Sequence, residues 1–366
     1  MKIYLKKCLP AIVLSFLFSF FALTTLEAKV KIHSIKSPNG DLELQVVTDT
    51  NISFCLLHKD NVLVTSPALS MTLKDGTILG PNAQVRKARK TDSREIIASP
   101  LYRKSQIVDQ YQQLDVNFRG GFGIRFRVYD QGAAYQFYTV QKDSLCVVNE
   151  SAGFIFDRDH TCYVPYSRGE ENPFQNSFEN VYSVIPVSEF DREKLAFLPL
   201  LVCLENGMKM ALTESDMESY PGMYLRGGKT ANGFEFKGVF APIPSKTVTE
   251  PGRGQVLASE YSDILAKTAG TRSFPWRIMA VATEDTELPV NDLVYILGAP
   301  NRAGNTDWIK PGKVAWDWWN NWGITGVDFP AGINTETYKY YIDFASANGI
   351  EYVVLDEGWS PPAGGD

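Results

Sequence analysis

The sequence has few of the residues that most often act as a catalytic base or bind a metal. It has only three histidines among 366 residues, at His33, His58 and His160. The last 200 residues therefore contain no histidine that could act as a base or bind a metal. In the last 54 residues, the polar candidates for proton transfer or ligand binding are therefore carboxylates and asparagines.

Cysteine is also scarce. The sequence has five cysteines, and Cys8 lies in an N-terminal segment that we predict to be cleaved. The spacing of the other four fits no zinc motif, and they are too few for a disulfide-based fold of this length. The sequence leaves open whether two of them form a single bridge or all remain thiols: Cys55, Cys146, Cys162 and Cys203.

The chain lacks an excess of positive charge and, after its N-terminus, a long apolar run. Its formal net charge is −6, without long runs of either sign. The basic stripe that is typical of nucleic-acid-binding proteins is missing, so we expect no nucleic-acid partner. No segment after residue 28 is long and apolar enough to cross a membrane, so we expect no stable membrane insertion.

The N-terminus has the pattern of a secretory signal peptide. Lysines precede an apolar run from Ala11 to Leu23, and Leu26-Glu27-Ala28 matches a small-residue cleavage site. We therefore predict that residues 1–28 are removed and that the protein is periplasmic or secreted. An N-terminal membrane anchor is the alternative, although the run is short for a membrane span.

Short alternating segments fill the chain over residues 29–285. "SPNGDLELQVV" combines a turn with the alternation of Leu42, Leu44 and Val46, and "FGIRFRVYDQGAAYQFYTV" is typical of a β-hairpin. Many short strands with few helical patterns predict a large antiparallel sandwich. Residues 286–312 mix loop signals with apolar residues, so we predict a linker that packs against the protein.

The last segment, residues 313–366, has a different pattern. We predict a strand over Lys313–Trp318, a helix that Asn334 or Thr335 caps, and a second buried strand in "IEYVVL". The apolar face of this helix would consist of Tyr338, Tyr341, Ile342 and Ala345. Strand, helix and strand in this order predict a right-handed βαβ unit with a parallel sheet.

Polar and aromatic side chains follow both of these predicted strands. The carboxyl ends of parallel strands meet at one rim of a sheet, which is where ligands bind. Indole faces stack on the C–H faces of sugar rings, and carboxylates accept hydrogen bonds from sugar hydroxyls. We therefore predict that a sugar is bound by Trp316, Asp317, Asp356, Glu357 and Trp359.

The adjacent Asp356 and Glu357 could be read as the paired carboxylates of a glycosidase. However, consecutive residues of a strand point to opposite faces, so we interpret them as binding residues rather than as a catalytic pair. The alternative for the tryptophans of this segment, which also include Trp318, Trp319 and Trp322, is packing between a barrel and the sandwich.

These segments resemble glycoside hydrolase family 97. The resemblance rests on "WIKPGKVAWDWWNNWGITGVDF" and "GINTETYKYYIDFASANGIEYVVLDEGW", and more weakly on "SPNG" and "YVPYSRGEENPFQNSFENVY". It implies an N-terminal β-super-sandwich, a (β/α)8 catalytic barrel and a small C-terminal β domain. The expected fold is thus mainly β, followed by the first βαβ unit of a (β/α)8 barrel that is incomplete in this chain.

The resemblance also implies an activity. Members of this family are exo-acting, calcium-dependent α-glucosidases or α-galactosidases that hydrolyse terminal α-linked sugars of oligosaccharides. Asp317 and "LDEGW" look more like the retaining, α-galactosidase-like branch. The sequence leaves open whether the terminal sugar is galactose or glucose, because the two differ in the orientation of one hydroxyl.

The resemblance further implies where the cofactor and the catalytic groups lie. The sandwich domain supplies one carboxylate to the Ca2+ ion, and the matching position is Glu179, with Glu170 and Glu171 as alternatives. The nucleophile and the acid/base are expected beyond Asp366, so we expect this chain alone to be inactive. The alternative function is a secreted carbohydrate-binding or scaffold protein without catalysis.

Overall fold

The computed structural model describes most of the chain, namely residues 31–168, 172–231, 233–250 and 254–357. The predicted signal peptide lies outside these residues, and so do three of the predicted site residues: Glu170, Glu171 and Trp359. No helix in the described ranges is long and apolar enough to span a membrane.

The described residues form two compact units, which we call the sandwich unit and the βαβ unit. Of the described residues, the sandwich unit takes those within 31–98, Gln106–Ser245 and Glu260–Ala299. The βαβ unit takes those within Ser99–Ser105, Lys246–Ser259 and 300–357. The predicted linker, residues 286–312, is therefore divided between the two units.

One sheet of the sandwich unit has ten strands among the described residues. They are β1 (Lys31–Lys36), β2 (Leu42–Thr48), β3 (Ile52–His58), β4 (Asn61–Leu73), β5 (Ile78–Leu79), β10 (Leu145–Ser151), β11 (Gly153–Phe156), β16 (Met223–Thr230), β17 (Gly233–Phe240) and β20 (Ala266–Thr268). The main path of the sheet is β1-β2-β3-β4-β11-β17-β16, with β5 and β10 pairing with β4, and β20 with β10.

The other sheet also has ten described strands. They are β6 (Val85–Ala98), β7 (Gln106–Phe118), β8 (Phe122–Tyr129), β9 (Gly132–Val140), β12 (Thr161–Val164), β13 (Ser183–Pro186), β14 (Leu200–Cys203), β15 (Lys209–Ser215), β21 (Thr271–Ser273) and β22 (Trp276–Ala282). Its main path is β13-β12-β14-β15-β22-β9-β8-β7-β6, and β21 pairs with β9. A separate two-stranded sheet pairs β18 (Pro244–Thr249) with β19 (Val256–Tyr261).

Alternating apolar residues build the core between the two sheets, as the sequence predicts. Leu42, Leu44 and Val46 of β2 are almost completely buried, and they join one core with inward residues of the other sheet. Burying one side of each strand removes a continuous apolar surface from water, which stabilises the pairing of the sheets. The predicted mainly β fold with a large antiparallel sandwich is therefore confirmed.

The predicted hairpin is formed by β8 and β9, with Tyr129 paired to Gly132 across a two-residue turn. Gly132 has a φ of +143°, and a Cβ atom there would lie 2.2 Å from the carbonyl oxygen of Met279. Only glycine permits this backbone conformation and this close approach to β22. The turn residue thus fixes the register of β8 on β9 and the pairing of β9 with β22.

A buried charge cluster connects the two sheets. Arg277 of β22 is completely buried and donates two hydrogen bonds of 2.8 Å to Glu150 of β10, as well as one to Glu214 of β15. Glu214 also accepts the backbone N–H of Met223 at 2.8 Å. Burial raises the pKa of Glu214, whereas Arg277 and the Met223 N–H favour its ionised form. The cluster therefore joins two carboxylates to a single guanidinium inside the sandwich.

None of the four remaining cysteines forms a disulfide bridge. Cys162 of β12 lies opposite Val202 of β14, so the side chain of the next residue, Cys203, points to the other face of the sheet. Burial raises the pKa of the Cys162 thiol to about 12. Of the two alternatives left open by the sequence, the structure has the one without a bridge.

After β22 the chain turns into short helical segments. Residues Asp285–Glu287 form a 3-10 turn, and helix α1 spans Leu293–Ile296. Leu293 and Ile296 are buried, and the Ser215 hydroxyl donates a 2.6 Å hydrogen bond to the Val294 carbonyl. This part of the predicted linker is thus packed within the sandwich unit.

The βαβ unit contains the predicted parallel pair of strands. β23 (Val314–Trp316) pairs in parallel with β24 (Tyr352–Val354), and helix α2 (Thr335–Ala347) lies between them in the chain. Asn334 caps this helix, because its side-chain oxygen accepts the backbone N–H of Thr337 at 2.9 Å. The predicted order of strand, helix and strand and the parallel pairing are confirmed. The second strand is not buried as predicted, because Tyr352 and Val354 are 43% and 44% exposed.

Two further details of this unit differ from the prediction. β23 ends at Trp316 rather than at Trp318, because Asp317–Asn320 form a 3-10 turn in which the Asp317 carboxylate accepts the Trp318 N–H. In the predicted apolar face of α2, only Ala345 is buried. Tyr338 and Tyr341 are half-buried and Ile342 is 50% exposed, since the two strands offer little surface to cover them.

Candidate functional site

The predicted sugar-binding residues of the βαβ unit lie where its two strands end. Trp316 is the last residue of β23, and Asp317 begins the turn that follows. Asp356 and Glu357 follow β24 after Leu355. Because the strands run in parallel, both sets of side chains reach the same rim. Four of the five predicted residues are thus together, and Trp359 lies outside the described residues.

Asp317 is completely buried at this rim. Its Oδ1 accepts the backbone N–H of Trp318 at 2.7 Å, and its Oδ2 accepts the indole N–H of Trp322 at 3.2 Å. The backbone N–H of Asp356 points between the two oxygens, at 3.2 and 3.4 Å. Three donors from the protein therefore occupy a carboxylate that the sequence predicts to contact sugar.

Asp356 and Glu357 are exposed, in contrast to Asp317. Oδ1 of Asp356 accepts the indole N–H of Trp316 at 3.3 Å, and its second oxygen has no partner within the described ranges. The carbonyl of Glu357 accepts a hydrogen bond from the Tyr338 hydroxyl. Burial and the Asp317 carboxylate raise the pKa of Tyr338, so this hydroxyl remains a donor at neutral pH. The rim thus presents carboxylate oxygens that a ligand hydroxyl could reach.

The tryptophans of the rim form two pairs. The rings of Trp316 and Trp319 are 6.3 Å apart, and those of Trp318 and Trp322 are 4.7 Å apart. Trp319 is 83% exposed, which leaves one indole almost free to stack on a ligand. A groove of about 500 Å³ is lined by Val314, Trp316, Trp319 and Val354. The rim carboxylates do not line this groove.

The sequence does not predict the polar roles of three further residues. The Tyr341 hydroxyl donates to the side chain of Asn320, Tyr338 binds Glu357, and Trp322 binds Asp317. Their helical spacing predicts only that the two tyrosines share the apolar face of α2. Their signal in the sequence was the hydroxyl itself, since a half-buried tyrosine normally finds a hydrogen-bond partner.

The predicted calcium ligand, Glu179, lies in the sandwich unit. Its side chain is 66% exposed, accepts the Ser177 hydroxyl at 3.0 Å and lies 3.7 Å from the Arg168 guanidinium. Calcium takes about six to eight oxygen ligands. Within the described ranges, no three histidine, cysteine or acidic side chains come together as a metal site. Glu179 could therefore supply one oxygen ligand to a calcium ion.

Carboxylates at the carboxyl ends of parallel strands are where a barrel enzyme keeps its site, and paired carboxylates define the class of glycoside hydrolases. Two family models agree with this class. The model "Glycosyl-hydrolase 97 N-terminal" matches residues 35–300, and "Glycoside hydrolase 97" matches residues 318–365. The chain belongs to glycoside hydrolase family 97.

Two curated relatives carry names that specify an activity. A "Retaining alpha-galactosidase" of Bacteroides thetaiotaomicron is 42% identical over 334 residues, which cover 89% of this chain and 50% of the relative. A "Probable retaining alpha-galactosidase" of Streptomyces bingchenggensis is 28% identical over 249 residues, covering 66% of this chain and 33% of the relative. The chain thus spans half or less of the length of these relatives.

A solved structure shows a similar fold. A family 97 glycoside hydrolase from a Pseudoalteromonas species, in complex with acarbose, superimposes with a TM-score of 0.73 at 22% identity. The match covers 91% of this chain and 48% of that protein. At this identity the likeness concerns the fold, which agrees with the sandwich and βαβ units described above.

Proposed function

We propose that this chain is part of a retaining, exo-acting α-galactosidase that removes terminal α-linked sugars from oligosaccharides. The 42% identity with the retaining α-galactosidase of Bacteroides thetaiotaomicron carries this proposal, because it extends over 89% of the chain. An α-glucosidase is the alternative activity, because galactose and glucose differ only in the orientation of one hydroxyl. In either case the substrate is neutral, which suits a rim of exposed indoles and carboxylates.

In this proposal the rim binds the sugar and the chemistry is done by other residues. Asp356 and Glu357 accept hydrogen bonds from sugar hydroxyls, while Trp316 and Trp359 provide indole surface. A retaining enzyme needs two carboxyl groups about 5–5.5 Å apart on either side of the glycosidic bond. Asp356 and Glu357 are neighbours in one segment and cannot flank a bond in that way. We expect the nucleophile and the acid/base beyond Asp366.

We further propose a Ca2+ ion as the cofactor and an extracytoplasmic location. The exposed carboxylate of Glu179 supports a role as one oxygen ligand, and the pattern of residues 1–28 supports export. Calcium removal should then lower activity reversibly. Glu179→Gln should weaken calcium binding in isothermal titration, whereas exposed Glu193→Gln, a matched change in the same unit, should leave it unchanged.

The test of the proposed activity uses the complete protein with aryl α-galactosides and aryl α-glucosides in the presence of calcium. The expected result is release of the aryl group with a product that first forms as the α-anomer, as proton NMR can follow. Initial formation of the β-anomer would contradict the retaining assignment. Sugar binding in calorimetry without any turnover would favour the carbohydrate-binding alternative over the enzyme.

A further inference from the structure

Asp317 differs from the other acidic residues of its unit. It is the only acidic side chain that is buried among the described residues of the βαβ unit, although it lies at a rim of exposed carboxylates. Burying a carboxylate is costly unless hydrogen bonds replace its lost hydration. The hydrogen bonds of Asp317 therefore have to offset the cost of its burial.

The bonds of Asp317 continue the contact between the strands beyond the end of the sheet. The last paired residues of the ladder are Trp316 and Val354. Beyond them, the Asp317 carboxylate receives the backbone N–H of Asp356, and it also holds its own turn through the N–H of Trp318. A side chain thus replaces the missing ladder bond and connects the two strand ends.

The same carboxylate has little capacity left for a ligand. An ionised carboxylate has about four positions at which it accepts hydrogen bonds. The Trp318 N–H, the Trp322 indole and the shared Asp356 N–H occupy nearly all of them. By contrast, Asp356 is exposed and has one oxygen without a partner among the described residues.

We propose that Asp317 is a positioning residue: it fixes the backbone of Asp356 and thereby aims the Asp356 carboxylate at the sugar, which Asp317 itself does not touch. This inference rests on the proposed function for the identity of the ligand, and it revises the predicted role of Asp317. The indole N–H of Trp316, 3.3 Å from Asp356, reports on the position of that carboxylate.

The first experiment is independent of activity. Indole N–H resonances of the full chain are recorded by two-dimensional NMR and assigned with Trp316→Phe and Trp322→Phe. Asp317→Asn keeps an acceptor oxygen but turns an NH2 group toward other donors. It should shift the resonances of both Trp322 and Trp316. Asp356→Asn should shift Trp316 alone, and exposed Asp343→Asn should shift neither. A shift of Trp322 without Trp316 after Asp317→Asn would overturn the proposal.

The second experiment is a double-mutant cycle in the complete protein with an aryl α-galactoside. Asp317→Asn should raise KM about tenfold, which is the loss expected for one hydrogen bond to a charged group. In the Asp356→Asn background the same change should have almost no further effect, because Asp317 acts through Asp356. If the two substitutions instead raise KM by factors that multiply, Asp317 contacts the sugar independently of Asp356.

The two experiments separate failure of this inference from failure of the proposed function. If the complete protein hydrolyses no glycoside, the proposed function is wrong, while the indole resonances still decide the role of Asp317. If Asp317→Asn unfolds the βαβ unit, Trp322→Phe takes its place in the cycle, since it removes one of the donors that orient the Asp317 carboxylate toward the Asp356 N–H. A smaller rise in KM that is absent in the Asp356→Asn background would support positioning. The same rise in both backgrounds would refute it.

Discussion

The sandwich unit and the βαβ unit hold their conformations by different means. In the sandwich unit, side chains from both sheets are excluded from water in one core. In the βαβ unit, only Asp317, Thr337 and Ala345 are buried among the described residues from Pro300 onward. Its order depends instead on hydrogen bonds such as those of Asp317 and Asn334.

This difference has consequences for stability and for function. Apolar burial contributes about 25 cal/mol per Å2, so a large shared core dominates the free energy of unfolding of the sandwich unit. A few polar contacts contribute about 1 kcal/mol each, so the βαβ unit should open more easily than the sandwich. In this chain by itself, the rim residues therefore lie in the unit that opens more easily.

The largest effect should come from the buried charge cluster of the sandwich unit. Arg277→Ala leaves Glu150 and Glu214 buried without their guanidinium partner, which should cost about 3–5 kcal/mol. Urea denaturation followed by circular dichroism would measure this loss. Exposed Arg226→Ala is the control and should change the free energy of unfolding by less than about 0.5 kcal/mol. Equal effects would show that the cluster does not stabilise the sandwich.

A smaller loss is expected in the apolar core. Leu44→Ala removes a completely buried side chain between the sheets and should cost about 3 kcal/mol in the same denaturation experiment. Ile96→Ala is the comparison, because Ile96 is 60% exposed and should have almost no effect. If both variants lose the same free energy of unfolding, burial does not determine the contribution of these two side chains to stability.

Loss of the cap of α2 should have a local effect of about 1 kcal/mol. Asn334→Ala removes the acceptor of the Thr337 N–H, so amides in the first turn of α2 should exchange with solvent several-fold faster. Denaturation of the sandwich unit should be unchanged. Lys339→Ala, on the exposed side of the same helix, should not speed exchange. A loss of sandwich stability in Asn334→Ala would contradict the comparison of the two units.

The smallest effect concerns pH. Burial raises the pKa of Glu214 above its ordinary value of 4.5, so the folded protein binds more protons than the unfolded chain just above that pH. This contribution to stability is complete below pH 4.5 and is lost as pH rises through the folded pKa. Glu214→Gln should flatten the pH dependence of unfolding in that window. An unchanged profile would show that Glu214 does not titrate there.

The sequence predicts the elements whose signals are local. The alternation of Leu42, Leu44 and Val46 and a turn between β8 and β9 are visible within a few residues, and so is a helix cap at Asn334 or Thr335. It does not predict the cluster around Arg277, because Glu150 is 127 positions away and Glu214 is 63. Such pairings depend on which strands neighbour each other, and the periodicity of one strand carries no information about that.

The sequence predicts only part of the candidate site, because only some of its features have local signals. Parallel strand ends indicate which residues share the rim, and the structure brings Trp316, Asp317, Asp356 and Glu357 together. Which carboxylate is buried depends on how the chain turns after Trp316. The sequence suggests continued alternation, whereas the Asp317 carboxylate binds the Trp318 N–H and ends the strand. A side chain that competes with the ladder for backbone donors overrides the two-residue period.

Hydrogen exchange of the full chain, followed by mass spectrometry, tests the comparison between the two units most directly. We expect amides of β8, β9 and β22 to exchange only through global unfolding, and those of β23, α2 and β24 to exchange orders of magnitude faster. Asp317→Asn should accelerate exchange in the second group alone. Equal protection of both groups, or faster exchange throughout the sandwich in that variant, would contradict the account.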